Sequence, residues 1–356
     1  MTEALVGPVE VVGAGLLGTS VGLALSRCGL EVLLSDASSE HVRTASGLGA
    51  GRPRTPDDRP QVVVVAVPPD HLGAVIAATL EAEPQAVVTD VGSIKTRPLV
   101  ELAAHPGLPR YVGGHPMAGS ERSGPLAGSA ALFEGRPWAI TPHADAAPDA
   151  VALVRELAER CGAVPVVLAP EEHDRAVARI SHVPHLMAAL TAGRLADAPR
   201  DHLALSGQGV RDVTRVAGGD PALYGQIVSA NAAAVLDLLA EVRTRLDDVM
   251  AALAAGDRDA LQRLLVEGNA GTRAIPGKHG EHDPRPMRTV IVSVPDHPGE
   301  LARLFAAAGE AEVNIEDVRI DHDPGRPVGL VELVVDASRA DHLLGSLESR
   351  GWLTHR

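Results

Sequence analysis

Cysteine and aromatic side chains are scarce in this chain, and each scarcity excludes something. Only Cys28 and Cys161 are present, far apart in sequence, which excludes a disulfide framework and fits reduced thiols in the cytoplasm. Phe, Tyr and Trp together make up 2% of residues, so a ring-shaped ligand has to be held by aliphatic side chains, histidine and backbone. Basic residues are also in deficit, 32 Lys and Arg against 46 Asp and Glu, for a formal charge of −14. That charge repels phosphate backbones and anionic lipid surfaces, so nucleic acid and membrane are not expected partners. No apolar run approaches the roughly 18 residues of a membrane span. The opening MTEALVGPVEVVGAG enters a strand pattern with no basic segment ahead of it, which predicts no secretory leader. The expectation is a soluble cytoplasmic protein of two or three domains, because 356 residues exceed one ordinary core.

What is present alternates. Short β-branched runs at Val9–Val12, Glu31–Ser35, Val62–Val67, Ala86–Thr89, Arg110–Gly113, Pro137–Thr141 and Val164–Leu168 are separated by Ala/Leu-rich segments. Continuous apolar runs of this kind are buried on both faces, which predicts an α/β domain with a largely parallel sheet over residues 1–170. Long Ala/Leu/Val helices follow at Glu171–Leu195, Tyr224–Ala255 and Asp257–Gly268, predicting an all-helical domain over 171–274. IPGKHGEHDPRPMR, residues 275–288, is rich in proline, glycine and mixed charge, so a linker is placed at 275–287. A small β-α-β-β-α pattern over 288–356 forms the last domain, with strands at Thr289–Val294, Val313–Asp321 and Val328–Val335 and helices at Gly299–Glu310 and Arg339–Arg350.

The segment GAGLLG comprises Gly13, Ala14, Gly15, Leu16, Leu17 and Gly18. It follows one predicted strand and opens a predicted helix, which is the context a dinucleotide fingerprint requires. Glycines permit the tight turn and close backbone approach to pyrophosphate, and the helix start supplies unpaired N–H groups. Asp36, at the end of the second strand, is placed to accept bonds from ribose hydroxyls. With DASSEH rather than an arginine at that point, NAD is favoured over NADP.

Ligands of open parallel sheets bind outside the carboxyl ends of the strands. TDVGSIK and VGGHP put Ser93 and His115 just past two such ends, on the same rim as the glycine turn. A histidine beside a nicotinamide can take the proton of a hydroxyl whose carbon gives up hydride, and an imidazole near its ordinary pKa of about 6.5 suits that task. Ser93 either orients that imidazole or contacts the nicotinamide. His182 and His185 lie three apart, but no acidic or cysteine partner stands at matching spacing, so no metal site is expected.

The glycine turn, DVGSIK at 90–95, GGHPMAGSE at 113–121, ISHVPH at 180–185 and RDVTRVAGGDP at 211–221 together resemble the prephenate/arogenate dehydrogenase family of tyrosine biosynthesis, over roughly residues 8–270. VPDHPGELARLF at 294–305 and VNIEDVRI at 313–320 resemble an ACT domain, of the ferredoxin-like α+β class. The resemblance implies a Rossmann-type domain, a helical substrate and dimerisation domain, and NAD-dependent oxidative decarboxylation of a cyclohexadienol. It implies His115 and Ser93 as catalytic residues, and Ser120, Glu121, His185, Thr214 and Arg215 at the substrate, Arg215 on a carboxylate. It places Gly13 to Gly18, Asp36, Val67 and Ser93 at the cofactor. Glu121 either shapes the pocket's charge or gates entry, or is a helix-start carboxylate near the helix dipole; His182 reads as a buried, satisfied histidine, and Asp212 as the partner of an arginine. Asp296, Gly299, Asn314 and Ile315 are the residues implied for an amino-acid effector, tyrosine or another aromatic. Prephenate is favoured over arogenate as substrate, and the apolar helices predict a homodimer. A β-hydroxyacid dehydrogenase, which would use a lysine on its helical domain, is disfavoured because Lys95 and Lys278 are the only lysines. A non-catalytic NAD and amino-acid sensor has no use for the set Ser93, His115 and Arg215.

Overall fold

The valine runs become the strands of one eight-stranded sheet in the computed structural model, which describes residues 4–119, 122–275, 286–322 and 328–355. They are β1 (Val9–Val12), β2 (Val32–Ser35), β3 (Arg52–Pro53), β4 (Val62–Val65), β5 (Val87–Asp90), β6 (Tyr111–Pro116), β7 (Pro137–Thr141) and β8 (Val164–Val167). The order is β3-β2-β1-β4-β5-β6-β7-β8. Every pair is parallel except β6 with β7. All four valines of β4 are fully buried, as expected of a strand covered by helices on both faces. The chain leaves β1 toward β2 on one side and returns to β4 on the other. The crevice at that reversal is where such sheets bind ligands.

Two compact units comprise the chain, Met1–Thr244 and Arg245–Arg356. In the first, helices Leu16–Arg27, Ser39–Gly47, Pro69–Ala82 and Pro148–Arg160 accompany the sheet. The last two begin on proline, whose missing N–H costs nothing in the first turn. The segment expected as helix Glu171–Leu195 runs from Pro170 to Gly193, interrupted by one wide π turn at Ala178–His182. The expected single helix Tyr224–Ala255 is two, Pro221–Ala230 and Ala232–Ala255, bent by 94°. Asn231 is the cause. Its side-chain amide is drawn inward to donate to the Asp174 carbonyl at 2.7 Å and meets His182 Nδ1 at 3.2 Å, bonds that hold the corner between the two helices against Pro170–Val177 and the π turn.

In the second unit, Asp257 caps helix Arg258–Arg273 by accepting from the Ala260 amide at 2.9 Å. A sheet of β9 (Met287–Pro295), β10 (Asp317–His322), β11 (Val328–Asp336) and β12 (Leu353–His355) follows in the order β10-β11-β9-β12, with every pair antiparallel. Helices Glu300–Glu310 and Ala337–Ser349 complete a β-α-β-β-α-β unit. Val290, Val292 and Val294 alternate inward to meet Val331, Leu333 and Val335 beneath Leu304, Leu343 and Leu347. The second strand of this unit begins at Asp317 rather than Val313, and β12 is an element the sequence pattern did not reveal. Most of the linker at 275–287 lies outside the described residues. Cys28 is exposed and Cys161 buried, both as free thiols. Among the described residues no single helix is long and apolar enough to cross a membrane.

Candidate active site

The glycine turn after β1 is built so that two of its glycines are obligatory and the third is open. Gly13 has φ +105°, and a Cβ there would strike the Ala66 carbonyl, with the Val67 side chain 3.4 Å away. A Cβ on Gly18 would strike the Gly13 carbonyl, whereas one on Gly15 meets nothing within 4 Å. The turn thus presents an unobstructed backbone face at Gly15, beside the first N–H groups of helix Leu16–Arg27, which is what a phosphate-bearing ligand needs. Asp36 stands at the neighbouring strand end. Its carboxylate accepts from the Ala14 amide at 2.6 Å and the Ser38 amide at 2.7 Å, which fixes it against the turn.

A second cluster forms where β5 and β6 end. Asp90 is fully buried and accepts from the Tyr111 hydroxyl at 2.9 Å, the Gly92 amide at 2.8 Å and the Gly114 amide at 3.3 Å. The Lys95 ammonium also pairs with Asp90, and donates to the Gly114 carbonyl at 2.6 Å. Burial pulls the Lys95 pKa down, against the opposing pull of Asp90 and Asp174. A buried ion pair persists only with this many hydrogen bonds around it. Its effect is to pin the 91–95 turn to β6.

His115 lies within β6, opposite Ala139 of β7, and not beyond the strand as its sequence implied. The strand runs on because Gly113 to Pro116 pair with β7. The His115 Nδ1 lies 2.9 Å from His173 Nε2, and His173 Nδ1 lies 2.8 Å from Asp174 Oδ1. Asp174 also accepts from the Lys95 amide at 2.9 Å and the Thr96 amide at 2.8 Å, tying helix Pro170–Val177 to the turn after β5. Burial alone would raise the Asp174 pKa, but hydrogen bonds from His173, Thr96 and Lys95 hold it below the usual value. Burial, with His173, Lys95 and His182 nearby, keeps the His115 pKa well below the usual imidazole value, so the ring is neutral at physiological pH.

His182 and His185 sit at and just past the π turn, a feature frequent at functional sites. His182 is buried and held by Asn231. Burial pushes its pKa down to about 4, with Asp174 opposing and His173 and His185 reinforcing. The His185 ring stacks on Tyr224, its pKa lowered by burial, and its buried Nδ1 has no partner among the described residues.

Other expected residues are placed differently. Ser93 makes no hydrogen bond among the described residues, and His173 is the partner of His115 instead. The Thr214 hydroxyl donates to the Val210 carbonyl at 2.7 Å. Arg215 is exposed in the short turn Arg215–Gly218, and no hydrogen bond or ion pair joins it to the His115 cluster. Asp212, expected to pair with an arginine, instead accepts from the Gln208 side-chain amide at 2.8 Å, because Gln208 lies one helical turn before it. Ser120 and Glu121 lie outside the described residues. Gly299, at φ +94°, opens helix Glu300–Glu310. Asp296 is exposed, the Asn314 amide donates to Glu316 at 2.7 Å, and Ile315 packs on the small core. His173, Asp174, Asn231 and Tyr224 were not anticipated. The adjacent His-Asp pair at the start of a helix just past β8 was the available signal for the first two.

The family model described as prephenate dehydrogenase, nucleotide-binding domain, matches residues 21–180, and that described as prephenate dehydrogenase, dimerization domain, matches residues 169–267. The chain is 37% identical over 355 residues to the probable prephenate dehydrogenase NovF of Streptomyces niveus, covering 96% of this chain and 98% of the relative. It is similar to a prephenate dehydrogenase from A. aeolicus, solved with hydroxyphenyl propionate and NAD+, at 27% identity and a TM-score of 0.68, over 75% of this chain and 98% of that one. It is also similar to the arogenate dehydrogenase of Synechocystis, at 27% identity and a TM-score of 0.65, over 74% of this chain and 98% of that one.

Proposed function

The chain belongs to the prephenate dehydrogenase family, and from that premise we propose that it catalyses the NAD-dependent oxidative decarboxylation of prephenate to 4-hydroxyphenylpyruvate. The observation that carries this reading is His115, a neutral, half-buried imidazole on the carboxyl rim of the same sheet whose β1 turn accommodates a dinucleotide. Gly13 to Gly18 would hold the pyrophosphate, Asp36 would accept from the adenosine ribose, and Val67 and Ser93 would contribute to the nicotinamide end of the site. When bound, NAD supplies the acceptor for the hydride that leaves the carbinol carbon.

His115 accepts the hydroxyl proton as that carbon is oxidised, and loss of CO2 from the opposite ring carbon makes the ring aromatic. Burial keeps His115 free of a proton before the step, so the base is ready near neutral pH. His185, whose ring plane is fixed by stacking on Tyr224, donates to the substrate through an in-plane ring N–H. Arg215, with its fork of donors, takes a substrate carboxylate, and Ser120, Glu121 and Thr214 complete the substrate's surroundings. The protein's task is chiefly to position the ring and polarise one hydroxyl.

Leu236, Leu246, Met250 and Leu253 are exposed on helix Ala232–Ala255, which supports a homodimer formed through this region. The boundaries 1–170, 171–274 and 288–356 are proposed for the catalytic, helical and regulatory domains. The β-α-β-β-α-β unit is proposed to bind an aromatic amino acid through Asp296, Gly299, Asn314 and Ile315 and to lower activity. The two free thiols fit a cytoplasmic setting.

The test is an assay with prephenate and arogenate in parallel, each with NAD and with NADP. Turnover of prephenate with NAD is the expected result. Preference for arogenate would reassign the substrate, and no turnover with either despite NAD binding would overturn the reading.

A further inference from the structure

We propose that His173, anchored by Asp174, is a positioning residue that fixes the tautomer of His115 and so makes Nε2 of His115 the base. The inference rests on the reading of His115 as the proton acceptor and adds how that role is imposed.

Hydrogen positions along the chain follow from its far end. Asp174 accepts at Oδ1 from the Lys95 amide and at Oδ2 from the Thr96 amide. Backbone amides are donors only, so the carboxylate is held as an acceptor whose orientation cannot change. Its remaining contact, 2.8 Å to His173 Nδ1, therefore requires a hydrogen on that nitrogen. In a neutral imidazole the other nitrogen then carries a lone pair. His173 Nε2 accepts, and the hydrogen in its 2.9 Å contact with His115 belongs to His115 Nδ1. The outer nitrogen of His115 is left with its lone pair, the state a general base needs.

His173 is suited to this and little else. It is 2% exposed, so water does not compete for its Nε2, and its ring meets that of His115 edge to face, with centroids 5.1 Å apart and planes 68° apart. It sits behind the reacting ring and touches no proposed substrate group. When the hydroxyl proton arrives at His115 Nε2, one O–H bond is exchanged for one N–H bond. The resulting imidazolium donates through Nδ1 to an acceptor backed by a carboxylate.

The other charged or titratable groups facing the His115–His173 pair are Lys95 with Asp90 and Tyr111, from the turn and strand on one side, and Asp174 and His182 from the helix on the other.

The test compares wild type with His173→Gln and His173→Ala. A glutamine amide oxygen can stand where Nε2 stands and accept from His115 without titrating. Nitrogen-15 NMR of the free enzyme reports the His115 tautomer without any substrate. The hydrogen is expected on Nδ1 in wild type and in His173→Gln, and redistributed in His173→Ala. With prephenate, His173→Ala should lose roughly 100-fold or more in kcat, the scale associated with a misdirected base, at unchanged NAD affinity. His173→Gln should recover most of that loss. A His115 hydrogen found on Nε2 in wild type would overturn the proposal, as would a glutamine variant no better than alanine. Full turnover by His115→Asn would instead defeat the base reading on which it rests, a distinct outcome that the NMR result does not share.

Discussion

The His185 imidazole lies flat against Tyr224, with ring centroids 3.5 Å apart and planes 6° apart. Gly219 makes this possible, because a Cβ there would come within 3.0 Å of the Tyr224 ring and 3.5 Å of His185. The stack fixes the ring plane of the histidine proposed to donate to the substrate. Tyr224→Ala is expected to raise the prephenate KM by about tenfold, the upper range of an aromatic pair's contribution, and Tyr224→Phe to leave it within about twofold. Steady-state kinetics of the two variants distinguish stacking from a role for the hydroxyl.

The open face at Gly15 and the crowded one at Gly18 predict opposite mutant behaviour. Gly15→Ala has room in the protein alone, so its melting temperature should hold while NAD affinity drops at least tenfold, about 1.4 kcal/mol. Gly18→Ala should cost about 1–3 kcal/mol of stability through overpacking. Melting curves and NAD titration of both variants test this. An alanine at Gly15 that binds NAD normally would contradict the placement of the pyrophosphate.

Acid should destabilise the first unit before its carboxylates titrate. His182 has a folded pKa of about 4, against about 6.5 unfolded. Between those values the unfolded chain binds more protons, so the stability associated with neutral His182 is fully present above about pH 6.5 and lost as pH falls toward about 4. The expected loss from this residue is on the order of 3 kcal/mol, and His115 and His185 shift in the same direction. Urea unfolding at about pH 7.5 and about pH 5 captures about 2 kcal/mol of it, because the remainder is lost only as pH nears about 4. His182→Gln should flatten the dependence, and an unchanged slope would contradict the assignment.

Among the described residues, Lys95 is the one cation paired with Asp90, and both side chains are fully buried. Lys95→Ala is expected to cost roughly 3–5 kcal/mol by leaving that carboxylate unpaired, lowering the melting temperature by roughly 10 °C. A calorimetric shift of only a degree or two would mean the carboxyl becomes protonated at little cost.

Much of the sheet was legible because a strand buried on both faces is a plain valine run. Val9–Val12 and Pro137–Thr141 begin and end where the pattern put them. The glycine turn was legible for a similar reason, since tight backbone approach leaves few alternatives to glycine. The break at Asn231 was not, because its cause is a bond to the Asp174 carbonyl, 57 positions away in the chain. The extension of β6 through His115 likewise depends on antiparallel pairing with β7, which local pattern does not encode. His173 and Asp174 read as ordinary residues of a helix's first turns. Only the fold brings them behind His115, 58 positions earlier.

The most direct test of the account is NADH formation from prephenate and NAD by wild type and His115→Asn, with NAD affinity measured in both. Asparagine retains a polar side chain of similar reach but is no base. The account predicts a fall in kcat of roughly 100- to 10,000-fold with NAD binding intact. Turnover by His115→Asn within a few-fold of wild type would contradict it.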